Sequence, residues 1–193
     1  MKPLSVADLM KLEDYAEQRP AFRQRVLEHK KRRKLHLGAH LTLLFEDRLT
    51  IQYQVQEMLR IERIFERGAI EEELGAYNPL IPDGTNWKAT CLIEYEDPVE
   101  RALHLARLKG IEDLIWGQVG EGPRIAAIAD EDMDRANETK TSAVHFLRFE
   151  LDAASLQAAK GGAGLRFGVD HPLYAQMIEV PAPVRTALIA DLN

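Results

Sequence analysis

The chain contains stretches in which apolar residues recur every three or four positions and stretches in which they alternate with polar residues. The helical spacing predicts one helix over 5–18, which opens with the capping sequence S-x-x-D, and a second over 19–34 with Pro20 in its first turn. We therefore expect residues 1–34 to form an N-terminal helical arm.

Beyond the arm, alternation and turn residues predict a mixture of strands and helices. Strands are expected at 35–46, 87–95, on both sides of the Gly-Glu-Gly-Pro turn at 120–123, at 141–151, and on both sides of the turn at 170–172. Helices are expected at about 50–65, 68–78, 97–110, 152–162 and 181–192. Because the elements follow no regular βαβ alternation, we predict an α+β domain over 35–193, with a mostly antiparallel mixed sheet of about six or seven strands and helices packed on it.

The predicted helix IQYQVQEMLRIERIF, residues 51–65, carries a carboxylate within its apolar stripe. On a helical wheel Glu62 falls between Val55 and Met58, whereas Glu57 falls on the opposite side. We therefore expect Glu62 to face the core and Glu57 to face away. A buried carboxylate needs a partner. Glu62 therefore forms a structural ion pair, lies where the apolar stripe ends at a solvated edge, or is a ligand-binding or acid–base group.

Composition narrows the function classes. The net charge is −6, the pI is about 5.6 and aromatic residues make up 7% of the chain, which disfavours general nucleic-acid binding. A lone cysteine, Cys91, excludes a disulfide framework and an iron–sulfur cluster of the chain's own. The N-terminus lacks the apolar region of a signal peptide, and no apolar run is long enough to span a membrane, so we expect a cytoplasmic protein.

Two histidines on predicted strands are candidates for chemistry. His145 shares a strand face with apolar residues, and His171 lies at a strand end before Pro172. Together with Glu62 they would suit a divalent metal of the iron or zinc kind. The alternatives are a hydrogen-bonded core histidine at 145 and a turn-capping histidine at 171.

The sequence HKKRRK contains the strongest block of charge. Its basic residues are Lys30, Lys31, Arg32, Arg33 and Lys34. The block could bind phosphate or an acidic partner, nucleic acid included. Alternatively it is the solvated C-terminal end of the second helix, where cations interact favourably with the helix dipole.

Four strings carry a resemblance that covers about Leu9 to Leu192. They are LGAHLTLLFEDRLTIQYQVQEMLRIERI, AYNPLIPDG, TSAVHFLRFEL and GVDHPLYAQM. Together they resemble an uncharacterised bacterial family, domain of unknown function thirty-five hundred and one. The resemblance places family motif positions on Glu46, Gln56, Glu57, Glu62, His145, Asp170 and His171. Family members often carry a further histidine near Gln176, which this chain lacks.

The resemblance implies a genomic context but no activity. Members of the family tend to be encoded beside a rubrerythrin-like protein and a cysteine-rich iron–sulfur oxidoreductase. Our first hypothesis is therefore a non-redox accessory protein that serves those partners in oxidative-stress or redox metabolism, with a homodimer as a further possible assembly. The second is a metal- or small-ligand-binding enzyme that uses Glu62, His145 and His171, with Glu57 and Asp170 as further candidates; the third is nucleic-acid binding through residues 30–34.

Overall fold

A computed structural model describes residues 1–129 and 140–193. The α-helices within these ranges are α1 Leu12–Lys30, α2 Arg48–Glu62, α3 Arg67–Tyr77, α4 Pro98–Arg107, α5 Ala153–Lys160 and α6 Ala182–Ala190. The strands are β1 Lys34–Leu37, β2 Leu41–Phe45, β3 Asn86–Ile93, β4 Ile115–Val119, β5 Arg124–Ala126, β6 Ile128–Ala129, β7 Val144–Glu150, β8 Leu165–His171 and β9 Tyr174–Glu179. Short 3-10 turns lie at Val6–Asp8, Asn78–Leu80 and Ile111–Leu114.

The predicted α+β class and antiparallel pairing are confirmed, with the strands divided between two sheets. Within residues 1–129 and 140–193, one has five strands in the order β1-β2-β3-β7-β6, and the other has four in the order β5-β4-β8-β9. The predicted hairpin forms between β4 and β5, and the chain then crosses at Ala127 into β6 of the five-stranded sheet. A short strand that continues into the other sheet is a common way to turn a corner between packed sheets.

The core lies where the two sheets face each other. Phe167 of β8 makes edge-on ring contacts with Phe45, Trp87 and Phe149 of the five-stranded sheet, at centroid distances of 4.9, 5.7 and 5.2 Å. Gly117 of β4 leaves room for the Phe167 ring, because an added Cβ would come within 2.9 Å of it. Edge-on pairs of this kind add to the stabilisation from burial alone.

The C-terminal helix closes one end of this core. Leu188 of α6 is fully buried, and its carbonyl accepts a 2.9 Å hydrogen bond from the Trp87 indole nitrogen. The bond satisfies the one polar atom of a large buried side chain, which would otherwise be costly to bury.

The N-terminal arm is one helix, where the sequence pattern predicted two. Helix α1 continues through Pro20, which is exposed, so the carbonyl that loses its hydrogen bond faces outward. Tyr15, Phe22 and Val26 are buried in α1 and form a cluster against α2. No helix among the described residues is long and apolar enough to cross a membrane.

Candidate functional site

Glu62, predicted to face the core, is exposed at the last residue of α2. Arg63 adopts a left-handed conformation, φ 57°, and ends the helix, so residues 63–65 do not continue the wheel on which the prediction rested. The buried stripe of α2 runs through Ile51, Val55 and Leu59 and stops there. This matches the alternative of a stripe that ends at a solvated edge.

Glu57, predicted to face away, instead faces α1 and is the better-paired carboxylate. It accepts hydrogen bonds of 2.7 Å from the Tyr15 hydroxyl and from both Nε and a terminal nitrogen of Arg19, and Arg60 lies 3.4 Å away. The Arg19 bonds, opposed by burial, and the Tyr15 bond lower the pKa of Glu57 from 4.5 to about 2. The prediction was wrong because α1 covers the second face of α2, and a wheel drawn for one helix contains no information about its neighbours.

The two predicted histidines lie in separate neighbourhoods. His145 is buried, and its Nε2 lies 3.0 Å from both the Ser142 carbonyl and the Thr141 hydroxyl. His171 is buried at the end of β8, and its Nδ1 accepts the Leu173 amide at 3.2 Å. These contacts match the core and turn-capping alternatives that the sequence left open.

The proposed ligand set of Glu62, His145 and His171 is therefore not assembled. Across residues 1–129 and 140–193, no group of three or more His, Cys, Asp or Glu side chains is close enough to hold a metal ion. Asp170 is half-exposed and forms an ion pair with Arg124 across the four-stranded sheet. The candidates taken from the sequence thus do not converge on one place.

The basic run is also divided. Helix α1 ends at Lys30, and Lys34 already belongs to β1, so the five residues do not share one face. Lys30 lies over the Tyr53 ring at 5.9 Å, and Lys31 pairs with Glu28 at 2.6 Å. Arg33, counted with the run in the sequence, is 2% exposed and points into the protein.

Arg33 organises a buried polar network behind the end of β2. Its guanidinium donates to the carbonyls of Phe45 and Glu46, both at 2.9 Å, and to Asp191 beyond α6 at 2.5 and 3.2 Å. Asp47, the N-cap of α2, lies 3.4 Å from the same guanidinium and 2.5 Å from His29. One cation therefore fixes the backbone at Glu46, where β2 passes into α2.

The two acids of this network differ in pKa. Burial raises the pKa of Asp191 to about 6, although Arg33 opposes the shift. Burial acts in the same direction on Asp47, but Arg33, the Thr50 amide and His29 together hold the pKa of Asp47 below its usual value. Asp47 therefore keeps the charge that caps α2.

Glu46, held by this network, places its side chain on the outer face of the five-stranded sheet. The carboxylate is 1% exposed and accepts hydrogen bonds from the hydroxyls of Thr50 at 2.5 Å and Thr90 at 2.6 Å. It forms no ion pair with any Lys, Arg or His of the described chain. A buried carboxylate whose side-chain partners among the described residues are two hydroxyls is unusual, because buried charges normally have a charged partner.

A cavity of about 260 Å³ opens above Glu46, and we call it the Glu46 cavity. Its walls are Pro79, Leu80, Lys88, Ala89, Ile128, Ala129, Phe146, Leu147 and Arg148. The 3-10 turn at Asn78–Leu80 forms one side, and strands β3, β7 and β6 form the floor. Apolar walls with a few convergent polar groups are typical of small-molecule sites.

Two cations line the cavity, side by side across neighbouring strands. Lys88 of β3 pairs in register with Arg148 of β7, so the two side chains project from the same face. Arg148 pairs with Glu150, whereas Lys88 donates to the carbonyl of Pro79. Burial, together with the Arg148 charge, lowers the pKa of Lys88 below its usual value, although Asp83 and Glu150 oppose this.

Sequence reasoning identified one member of this cavity and missed the others. Glu46 appeared among the family motif positions, but nothing in the sequence pattern singled out Lys88 or Arg148. Lys88 and Arg148 lie about 60 residues apart in the chain. The register of β3 against β7 brings them side by side. The sequence signal that could have pointed to this face is the alternation in β3, which places Lys88 and Thr90 opposite Ala89.

Comparisons with known proteins identify the fold and the family. A family model described as "Protein of unknown function (DUF3501)" matches residues 3–192. A solved structure, described as a novel protein of unknown function from Burkholderia pseudomallei K96243, is 49% identical, with a TM-score of 0.94 over 100% of both chains. No curated protein matches the chain.

Proposed function

The chain belongs to DUF3501, a protein family of unknown function, and we propose that it binds a small organic anion in the Glu46 cavity. The observation that carries the proposal is the arrangement of charge around that cavity. A carboxylate that forms no ion pair with any described residue lies buried at one end, and Lys88 and Arg148 line the opening. The proposal replaces Glu62, His145 and His171 with Glu46, Lys88 and Arg148 as the ligand-binding residues.

The accessible charge of the cavity favours an anion. Glu46 is almost completely covered, whereas Lys88 is partly exposed and Arg148 is exposed. An incoming ligand therefore meets the ammonium and guanidinium groups first. A planar guanidinium matches the geometry of a carboxylate, and it can exchange the partly exposed Glu150 for a ligand at small cost because solvent-accessible ion pairs contribute little.

Glu46 would add selectivity to this site. Its two oxygens each accept one hydroxyl hydrogen bond, which leaves further acceptor capacity on each oxygen. A ligand with a hydroxyl or amine donor near its anionic group would supply the missing partner. A site built to accept such a donor discriminates strongly against analogues that lack it.

Amide NMR titration of the full chain tests this proposal with acetate, glycolate and succinate as probes. We expect saturable shift changes at the amides of Ala129, Phe146 and Leu147, with glycolate binding more tightly than acetate because it carries a hydroxyl. Arg148→Gln should weaken binding roughly tenfold, which corresponds to about 1.4 kcal/mol. Glu46→Gln should remove the preference for glycolate.

Arg166→Gln provides the matched control, because Arg166 is an arginine on the four-stranded sheet, paired with Glu121 as Arg148 is paired with Glu150. This variant should bind the probes as the unmodified chain does. Equal weakening in both arginine variants would show non-specific attraction to positive charge. Absence of saturable shifts with all three probes would refute the proposal.

A second candidate is the accessory role beside a rubrerythrin-like protein and an iron–sulfur oxidoreductase. The observation that favours it is an exposed apolar ridge at the end of α2, where Ile61 is 64% and Phe65 is 74% exposed. Large exposed apolar side chains that lie close together often mark protein–protein contact surfaces. The ridge borders a groove of about 400 Å³ formed by the N-terminal segment, α2 and α3.

Mixing with the purified rubrerythrin-like protein and the purified oxidoreductase from the same genome tests this second candidate. Complex formation should be measured by analytical ultracentrifugation, and Phe65→Ser should weaken it. Leu173→Ser is the control, because Leu173 is 56% exposed in the turn between β8 and β9. No complex with either partner, or equal loss in both variants, would argue against the ridge as the contact surface.

A further inference from the structure

Lys88 differs in its surroundings from a typical surface lysine. It is partly buried on β3, and among the described residues no carboxylate forms an ion pair with it. The partner of its amine is a neutral carbonyl, that of Pro79. The adjacent side chain in register is a second cation, Arg148.

These surroundings shift the Lys88 amine towards its neutral form. Burial removes water from the charged form, and the neighbouring guanidinium repels it, so the pKa of Lys88 is lowered. Burial and a neighbouring cation are the ordinary means by which proteins make a lysine amine more nucleophilic. The amine can react with a carbonyl group, and the cavity favours anions. The ligand class that fits both is a small molecule with a carbonyl group and a negative charge.

We propose that Lys88 forms an imine with the carbonyl carbon of a small 2-oxo acid whose carboxylate is held by Arg148. The inference rests on the proposed function, because the acid must first bind in the Glu46 cavity. In the addition step the lone pair of the Lys88 amine attacks the carbonyl carbon, and a carbinolamine forms. In the elimination step the former carbonyl oxygen leaves with two protons as water, and a carbon–nitrogen double bond remains.

Glu46 has a defined part in this chemistry. Of the described residues that line the cavity, it is the one with a carboxylate. A carboxylate there can pass the first amine proton to the carbonyl oxygen in the addition, and the second amine proton to the departing hydroxyl in the elimination. This is the general acid–base role, and no oxidant, reductant or metal is required for the balance.

Reductive trapping of the full chain with pyruvate and sodium cyanoborohydride tests the inference. Cyanoborohydride reduces an imine to a stable secondary amine, which intact mass measurement and peptide mapping then locate. We expect one predominant adduct on Lys88, formed severalfold faster at neutral pH than the adduct on Lys160, an exposed lysine at the end of α5. Lys88→Arg should abolish the predominant adduct and Lys160→Arg should leave it unchanged.

Mapping in the unmodified chain gives an answer even if a variant fails to fold. Labelling spread evenly over Lys88 and the exposed lysines would overturn the imine inference. If acetate still binds the cavity by NMR in that case, anion binding stands and the covalent step alone is refuted. If added acetate slows trapping at Lys88 and leaves trapping at Lys160 unchanged, the result would support both anion binding in the cavity and imine formation at Lys88.

Discussion

Replacing Glu57 by Gln tests the reassignment of the two carboxylates of α2. Glu57 is 17% exposed and holds Tyr15 and Arg19 of α1, whereas Glu62 is exposed at the helix end. Gln keeps the size of the side chain and removes its charge. Glu62→Gln is a matched control, because it is the same substitution in the same helix.

The expected loss of stability in Glu57→Gln follows from the pKa of Glu57. Its fall from 4.5 to about 2 corresponds to about 3 kcal/mol of stability, at about 1.36 kcal/mol for each pKa unit. Arg19 and Arg60 are about a third exposed, at 33% and 39%, so solvent screening reduces this amount. We expect Glu57→Gln to lower the free energy of unfolding by about 1–3 kcal/mol at pH 7 and Glu62→Gln to change it by less than about 0.5 kcal/mol.

The pH dependence gives an independent check. Because the folded-state pKa is depressed, the stabilisation from Glu57 is complete above pH 4.5 and is lost as the pH falls towards about 2. Urea denaturation followed by circular dichroism at pH 7 and at pH 3 should therefore show a smaller deficit for Glu57→Gln at the lower pH. Equal stability of the two variants at pH 7, or a deficit that does not shrink at pH 3, would refute the assignment.

Three further predictions concern the interior. Arg33→Met should lower the free energy of unfolding by about 3–5 kcal/mol, because it leaves Asp47 and Asp191 buried without their cation, while Arg32→Met on the surface should have little effect in the same urea titration. Gly168→Ala should destabilise by about 1–3 kcal/mol, because a Cβ there overlaps the Trp116 ring, whereas Gly75→Ala in α3 has open space and should stabilise by about 0.5–1 kcal/mol in thermal melts. Cys91 should stay unreactive towards Ellman's reagent until the chain unfolds, because burial raises the pKa of its thiol to about 12.

The elements predicted correctly from sequence are those with local signals. Helix α4 begins where Asp97 and Pro98 indicated, and the Asp97 carboxylate caps it through the amides of Val99 and Glu100. The hairpin of β4 and β5 forms around the expected turn, with Gly120 in a left-handed conformation. Turn and cap chemistry depends on a few consecutive residues, so one sequence is enough to predict it.

The features that sequence reasoning missed depend on contacts between distant segments. The burial of Glu57 depends on α1, which packs against the side of α2 that the helical wheel predicted to face away from the core. The division of strands into two sheets likewise depends on the crossing at Ala127, which carries no distinctive pattern of its own. The Glu46 cavity needs the register of β3 against β7, and a shift of one residue would turn Lys88 to the core.

The contact between Arg33 and Asp191 has a consequence for the order of folding. It joins positions 158 residues apart in the chain, and such contacts are late and slow because a large loop must close first. A nascent chain on the ribosome holds the Arg33 side chain without this acidic partner until the codons of α6 and Asp191 have been read. The junction of β2 and α2, which carries Glu46, is therefore completed only after synthesis of the C-terminal helix.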